Sequence, residues 1–367
     1  MPTIQRIETL AHLRQCLVRV TDSDGATGLG QTAPKLTDAT VAVMHDLLAP
    51  LALGHDVDDL EELDELVWQK AYKFTGTFLY RALGGLDTAL WDLRARRAGV
   101  PVRDLLGPGR HDTLGVYGSS MGRERSAEQE ARFVEQWLDC LGCGAVKVKI
   151  AGRRGRDVDE SPGRTEAVVR AVREVLPDGV GFLVDANGGY SPERAIEVGR
   201  FLDDHGVCHF EEPCPYEELD QTGRVTASLA ELPIQVAGGE QDYLMPGFKR
   251  MTRQRLVDVV QCDVGYCGGL TRARRVGAMA DAHRLGFMPH SPNPSMIFLF
   301  TLHLMASREA VSLHGLEYSL GREVGAGLFT PILTPVDGRV TLPPGAGFGV
   351  TPDPAFLEHA QSRVSSA

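Results

Sequence analysis

Residues 145–150 read AVKVKI. Val146, Val148 and Ile150 favour an extended strand, and alternation along a strand sends Lys147 and Lys149 to one common face. Taken alone this is a surface strand with two solvated ammonium groups, because lysine is rarely buried without a partner. What the rest of the chain places opposite that face decides the matter.

From about residue 113 to 318, short β-branched runs alternate with amphipathic stretches. The strand candidates are LGVYGS, AVKVKI, GFLVDA, VCHFEEP, PIQVAGGE, VDVVQCD, GFMPHS and VSLHGLE, and helices are expected over 164–176, 192–205, 217–231, 246–255 and 271–285. Such alternation means parallel βαβ units, and eight strands in this span suit a closed barrel better than an open sheet. Residues 1–112 have another rhythm: an opening strand pair (IQRIETLAHL, QCLVRVTDSDG), a Gly-rich connection, and helices near 37–52, 58–73 and 78–98. Residues 319–367 form a Pro/Gly-rich tail that reads as irregular chain packing back on the first segment, its last residues, SRVSSA, loose.

The chain has 367 residues, 43% of them hydrophobic, enough for a large core. A net charge of −11 argues against non-specific nucleic-acid binding and against anionic membrane surfaces. The opening residues show no signal-peptide pattern, and SMIFLFTLHLMAS (295–307) is too short to span a bilayer and reads as a buried helix. Seven scattered cysteines suit a reducing cytoplasm, and the Cys140/Cys143 pair, with no second pair at zinc spacing, reads as packing.

Polar residues interrupt the strand ends in a regular way. Lys147 and Lys149 lie on the second strand, and Asp185, Glu211, Glu240, Asp263, His290 and Glu317 end the next six. Lys149 and Glu317 are 168 positions apart and bound six steps, so each step is one βα unit. In a barrel, carboxyl-end side chains converge on one mouth. Capping alone needs no such regularity, and converging carboxylates repel without a counter-ion. Asp185, Glu211 and Glu240 come from adjacent strands and offer hard oxygen ligands, which suits a divalent cation of the magnesium type. The lysines then face a cation-bearing, desolvated mouth, where an ammonium pKa is expected to fall and a general base to result. Across the barrel, Asp263 can orient His290 and raise its basicity, giving a second base.

These motifs together resemble the enolase superfamily and its mandelate racemase subgroup. LGGLDTALWDLRARRAGVPVRDLLG (83–107) resembles the helix joining cap and barrel, KVK the family's KxK, and DAN, FEEP and GGE its three metal-ligand strands. CDVGYCGGLT followed by MPHS resembles its Asp–His dyad, and Glu317 its acid beside the intermediate. The resemblance implies a (β/α)7β TIM-like barrel under an α+β cap built from the N-terminal segment and the tail. It implies Mg2+ on Asp185, Glu211 and Glu240, and Lys149 as base on one face of a carboxylate substrate. Lys147 would lower the Lys149 pKa and lie near the substrate carboxylate, with Asn187 assisting there. His290 oriented by Asp263 would act on the opposite face, and Glu317, if protonated, would donate to the ene-diolate. The common Gly-x-Gly-Glu of the cap loop has Gln31 in place of Glu, which puts substrate choice in question.

The expected activity is dehydration of a hydroxylated or sugar acid to a 2-keto acid. The alternatives are a racemase or epimerase of a hydroxy, amino or imino acid such as a proline derivative, and a non-catalytic metal-binding barrel. The insert AGRRGRDVDESPGRT (151–165) either holds a second acidic end of the substrate or is a solvated loop. Tyr72, Lys73 and Thr75 are candidates to line the cap side. The expected partners are a small-molecule carboxylate and, by default for a cytoplasmic enzyme, further copies of the chain as a homo-oligomer.

Overall fold

The computed structural model describes residues 1–312 and 314–367. Three antiparallel strands open the chain: β1 (Ile4–His12), β2 (Gln15–Asp22) and β3 (Thr27–Gln31). The stretch expected to be a Gly-rich connection is therefore partly strand. Its glycines serve close packing: a Cβ on Gly28 would come within 2.1 Å of Ala89 O, and one on Gly30 within 2.4 Å of Gly85 O. Both contacts are to the helix Thr77–Ala98, which lies directly on β3. Asp92 of that helix is buried and accepts from Leu29 N and Phe348 N, each at 2.8 Å. It thereby ties the helix to β3 and to the C-terminal tail.

The end of the chain corrects the expectation of a loose terminus. Residues Gln361–Ser366 form a strand antiparallel to β1, in register from Arg6↔Ser366 to Ala11↔Gln361. QSRVSS has little apolar content, but β1 presents an unpaired edge whose backbone donors and acceptors need partners.

Among the described residues the second sheet has nine strands, eight of them parallel, β4 (Thr113–Ser119), β5 (Ala145–Lys149), β6 (Gly181–Asp185), β7 (Val207–Glu211), β8 (Gln235–Gly238), β9 (Val259–Val260), β10 (Gly286–Phe287) and β11 (Leu316–Ser319), and a short one, Arg339–Thr341, antiparallel to β4. Their hydrogen-bonded order is β10-β9-β8-β7-β6-β5-β4-β11, with helices in every connection. Ser291, beyond β10, donates its backbone N–H to Glu317 Oε2 on β11 at 3.2 Å, joining the two ends of the path. The result is a (β/α)7β barrel with an antiparallel α+β cap.

Strands β9 and β10 are shorter than expected, and Asp263 and His290 each lie three residues past the strand end, where His290 N still bonds Cys262 O at 3.2 Å. The expected strand 311–317 starts instead at Leu316, after Gly315 turns the chain at φ 84, and it extends to Ser319; Leu313 lies outside the described residues. The helix Met296–Ala306 is buried along its whole length. Among the described residues no helix is long and apolar enough to cross a membrane.

Candidate active site

Strand register brings the polar residues to one level. Lys149 pairs with Asp185 across β5–β6, and Asp185 with Glu211 across β6–β7, so three neighbouring strands aim these side chains into the barrel together. Glu240 lies two residues past β8, where Gly239 takes a φ of 110 to redirect the chain. Asp185, Glu211 and Glu240 each offer an oxygen within 4.8 Å of the others', and all three are buried. Oxygen-only donors at this spacing fit a hard divalent cation. Glu240 Oε2 is also buried with no aligned hydrogen-bond donor, as a ligand atom would be.

The charges around these acids depart from one expectation. Lys147 donates to Glu211 at 2.7 and 2.9 Å and lies 2.7 Å from Glu317 Oε1, with no exposure of any of the three side chains. Burial alone would depress its ammonium, but the Glu211 and Glu317 carboxylates outweigh burial and hold it well above the ordinary lysine value. Lys147 is thus a fixed cation, not a lysine with a lowered pKa. Burial likewise works against ionisation of Glu211, yet Lys147 holds that carboxyl well below its usual range. Gln261, on the same barrel face two residues before Asp263, adds a 2.8 Å hydrogen bond to Glu211. Lys149 pairs with Asp185.

Across the mouth, His290 Nδ1 lies 2.7 Å from Asp263 Oδ2, while Asp263 Oδ1 accepts from Gly265 N at 2.7 Å and Tyr266 N at 3.1 Å. Asp263 is therefore held by the helix turn it caps and in turn orients the imidazole. His290 Nε2 sits 3.1 Å from Glu240 Oε2. Burial would lower the imidazole pKa, but Glu240, Asp263 and Glu317 push it up to about 10. Burial opposes ionisation of Glu317, yet Lys147 and His290 hold its carboxyl below the usual value, so the condition set for its donation, a protonated carboxyl, is disfavoured here.

Two polar residues at the mouth have backbones in the left-handed region: Asn187 at φ 43 and Glu212 at φ 42. Non-glycine residues there are uncommon and mark sites held by their surroundings. Asn187 donates to Asp185 Oδ2 at 2.9 Å and Glu212 Oε2 at 3.3 Å, and accepts from Arg123 at 2.7 Å. Burial and the carboxylates of Glu240, Asp185 and Glu211 raise Glu212 well above its ordinary value. Glu212 and Arg123 were not foreseen; the doubled acid of FEEP was the available signal for the first.

A cavity of about 310 Å³ opens over these groups, with Lys149, Asn187, Glu240 and His290 in its floor. From the cap only Lys35 reaches its lining, and the connection after β5 supplies Arg153 and Arg154. Tyr72, Lys73 and Thr75 are exposed and lie outside that lining. Gln31 is fully buried: it accepts from Met296 N at 2.8 Å and donates to Gln15 at 2.5 Å. Its role is to fasten β3 to the start of the helix that follows His290, and it does not line the cavity.

The model of the mandelate racemase / muconate lactonizing enzyme N-terminal domain matches residues 2–107, and that of the enolase C-terminal domain-like family matches residues 129–356. An arabinonate dehydratase of Saccharolobus solfataricus is 31% identical over 342 residues, covering 90% of this chain and 86% of its own. A candidate racemase from Roseobacter denitrificans superposes with a TM-score of 0.94 at 41% identity, over 100% of both chains. A mandelate racemase/muconate lactonizing protein from Paracoccus denitrificans PD1222, complexed with magnesium, gives 0.91 at 30% identity over 99% of both.

Proposed function

The chain belongs to the mandelate racemase / muconate lactonizing enzyme family of the enolase superfamily, and we propose that it dehydrates a hydroxylated carboxylic acid to a 2-keto acid with Mg2+ as cofactor. The observation that carries this is the convergence of Asp185, Glu211 and Glu240 with Lys149 and His290 at one cavity. The magnesium ligand in the Paracoccus structure and the dehydratase activity named for the Saccharolobus relative support it further. Asp185, Glu211 and Glu240 would hold the ion, which supplies Lewis-acid stabilisation of charge on the substrate carboxylate.

Lys149 takes the α-proton. His290 carries a proton that its pKa of about 10 retains at neutral pH, and it gives that proton to the β-hydroxyl as the C–O bond breaks. Water leaves, and the resulting enol takes a proton at the β-carbon to become the 2-keto acid. Lys147, held charged by Glu211 and Glu317, faces the negative charge that develops on the carboxylate. Arg123 and Asp185 fix Asn187 beside it.

Epimerisation is the second reading, favoured by the presence of two titratable groups, Lys149 and His290, from non-adjacent strands in one lining. Proton NMR in heavy water with Mg2+ and a panel of sugar, hydroxy and imino acids separates the two. Loss of substrate with 2-keto-acid signals is the expected outcome. Deuterium at the α-carbon with an unchanged skeleton would establish epimerisation instead, and no exchange on any acid would overturn both.

A further inference from the structure

The outer wall of the cavity differs in charge from its floor. Its floor holds the acids Glu212 and Glu240, the latter clustered with the buried Asp185 and Glu211, whereas its outer lining carries Lys35, Arg153 and Arg154. Only Arg154 is ion-paired, with both oxygens of Glu217 at 2.9 and 3.0 Å. Among the described residues, Lys35 and Arg153 have no carboxylate within 4.0 Å. Behind them lie two more guanidinium groups without one: Arg123, bonded to Ala151 O and Asn187, and the buried Arg164, bonded to Lys149 O at 2.8 Å. Nearby carboxylates act on these inner two, Asp185 and Glu160 on Arg123 and Glu130, Asp159, Glu124 and Glu160 on Arg164, so it is the exposed Lys35 and Arg153 that stand at the rim without a close partner.

The segment that carries Arg153 is also not a loose solvated loop. Arg154 N bonds to Asn187 O at 3.2 Å and Asp157 N to Gly189 O at 2.9 Å, and Asp157 Oδ1 accepts from Ser191 N at 2.6 Å. These bonds fasten it to the connection after β6, beside the metal-ligand strand end. Ala151, Arg154, Arg156 and Asp157 all hold φ between 52 and 68, and Lys35 on the facing cap loop holds φ 72. Two of these five, Lys35 and Arg154, line the cavity itself, and left-handed backbone at non-glycine residues is strain that the surroundings must over-determine.

We infer that the substrate carries a second anionic group, a carboxylate or a phosphate, at the end remote from the carboxylate on the acid cluster, and that Arg153 and Lys35 receive it. Guanidinium and ammonium groups with no internal partner at the rim of a cavity are matched by such a group, and arginine binds either anion through its planar fork. About 310 Å³ lies at the small end of ligand cavities, so the substrate is a compact dianionic acid. This rests on the proposed reaction and departs from an aldonate, whose far end is a neutral hydroxymethyl group.

The test uses the Mg2+-loaded full chain and matched four- to six-carbon acids: aldonate, aldarate, and aldonate phosphorylated at its far hydroxyl. Calorimetric titration reads binding, and α-proton exchange in heavy water reads the reaction. One dianionic acid is expected to bind at least about tenfold tighter than its aldonate counterpart. Arg153→Glu should abolish that preference and Arg153→Lys should keep most of it. Whether aldarate or phosphoaldonate wins identifies the anion. If no dianionic acid is preferred, or if the preference survives Arg153→Glu and Lys35→Ala together, the inference is overturned. Exchange on aldonates alone would also overturn it while leaving the proposed reaction intact. A dianion preference without exchange on any acid would keep the anion site and remove the reaction.

Discussion

Lys147 and Glu211 form a two-pronged ion pair at 2.7 and 2.9 Å in the barrel interior, and neither side chain reaches solvent. The pair makes one cation responsible for a carboxylate that is also a candidate metal ligand. Lys147→Met would leave Glu211 and Glu317 buried with less compensation, and breaking a buried pair costs about 3–5 kcal/mol. We expect the melting temperature to fall sharply in a chelator and to recover in part with Mg2+, because the ion compensates Glu211 in place of the lysine. Thermal unfolding of both proteins with EDTA and with Mg2+ measures this. An equal loss in the two conditions would mean that Glu211 does not bind the ion.

Asp263 orients the His290 ring, with Nδ1 toward the Asp263 carboxylate and Nε2 toward Glu240. Asp263→Asn keeps the side-chain size but removes the charge that orients and protonates the ring. Turnover is expected to fall by about 10²–10⁴-fold, the usual worth of a positioned acid or base. The imidazole pKa should also drop from about 10. A step that needs the imidazolium is lost as pH rises through that pKa, so the alkaline limb of the rate profile should move to lower pH. A pH–rate profile of the variant checks the direction, and an unmoved limb would assign it to another group.

Gln31 bridges Gln15 and the backbone of Met296 without touching the cavity. Gln31→Ala leaves a buried N–H unsatisfied, which costs about 1–3 kcal/mol. The expected result is a lower melting temperature with an unchanged order of preference among substrate acids. A changed order of kcat/KM across the panel would return this position to substrate selection.

The strand-end residues were legible because two periods reinforce each other: alternation within a strand and a near-constant βα spacing along the chain. Stepping back by two from Glu211 and Asp263 along their strands also finds His209 and Gln261, both buried inside the barrel. Lys35 was not legible, since its place over the mouth depends on how the cap folds back across the barrel. The C-terminal strand was hidden for a similar reason: its pairing comes from the free edge of β1, 350 to 360 positions away, and not from any apolar pattern of its own. That Lys147 is held charged was not legible, because strand spacing reveals that charges converge but not which of them touch.

Asp87, on the helix beneath the cap, offers a pH test away from the site. Burial, only partly offset by hydrogen bonds from Thr271, pushes its carboxyl from 3.8 up to about 7. The folded chain therefore keeps a proton that the unfolded chain releases. Its favourable contribution is complete below about pH 4 and is lost as pH rises toward 7. At about 1.4 kcal/mol per unit, the loss is at most about 4 kcal/mol. Asp87→Asn keeps an acceptor for Thr271 N and removes the titration. The variant should match the parent near pH 4 and unfold at a higher temperature than the parent above pH 7. Melting curves across that range test it, and a gap that does not widen with pH would show that Asp87 is ionised in the folded chain throughout.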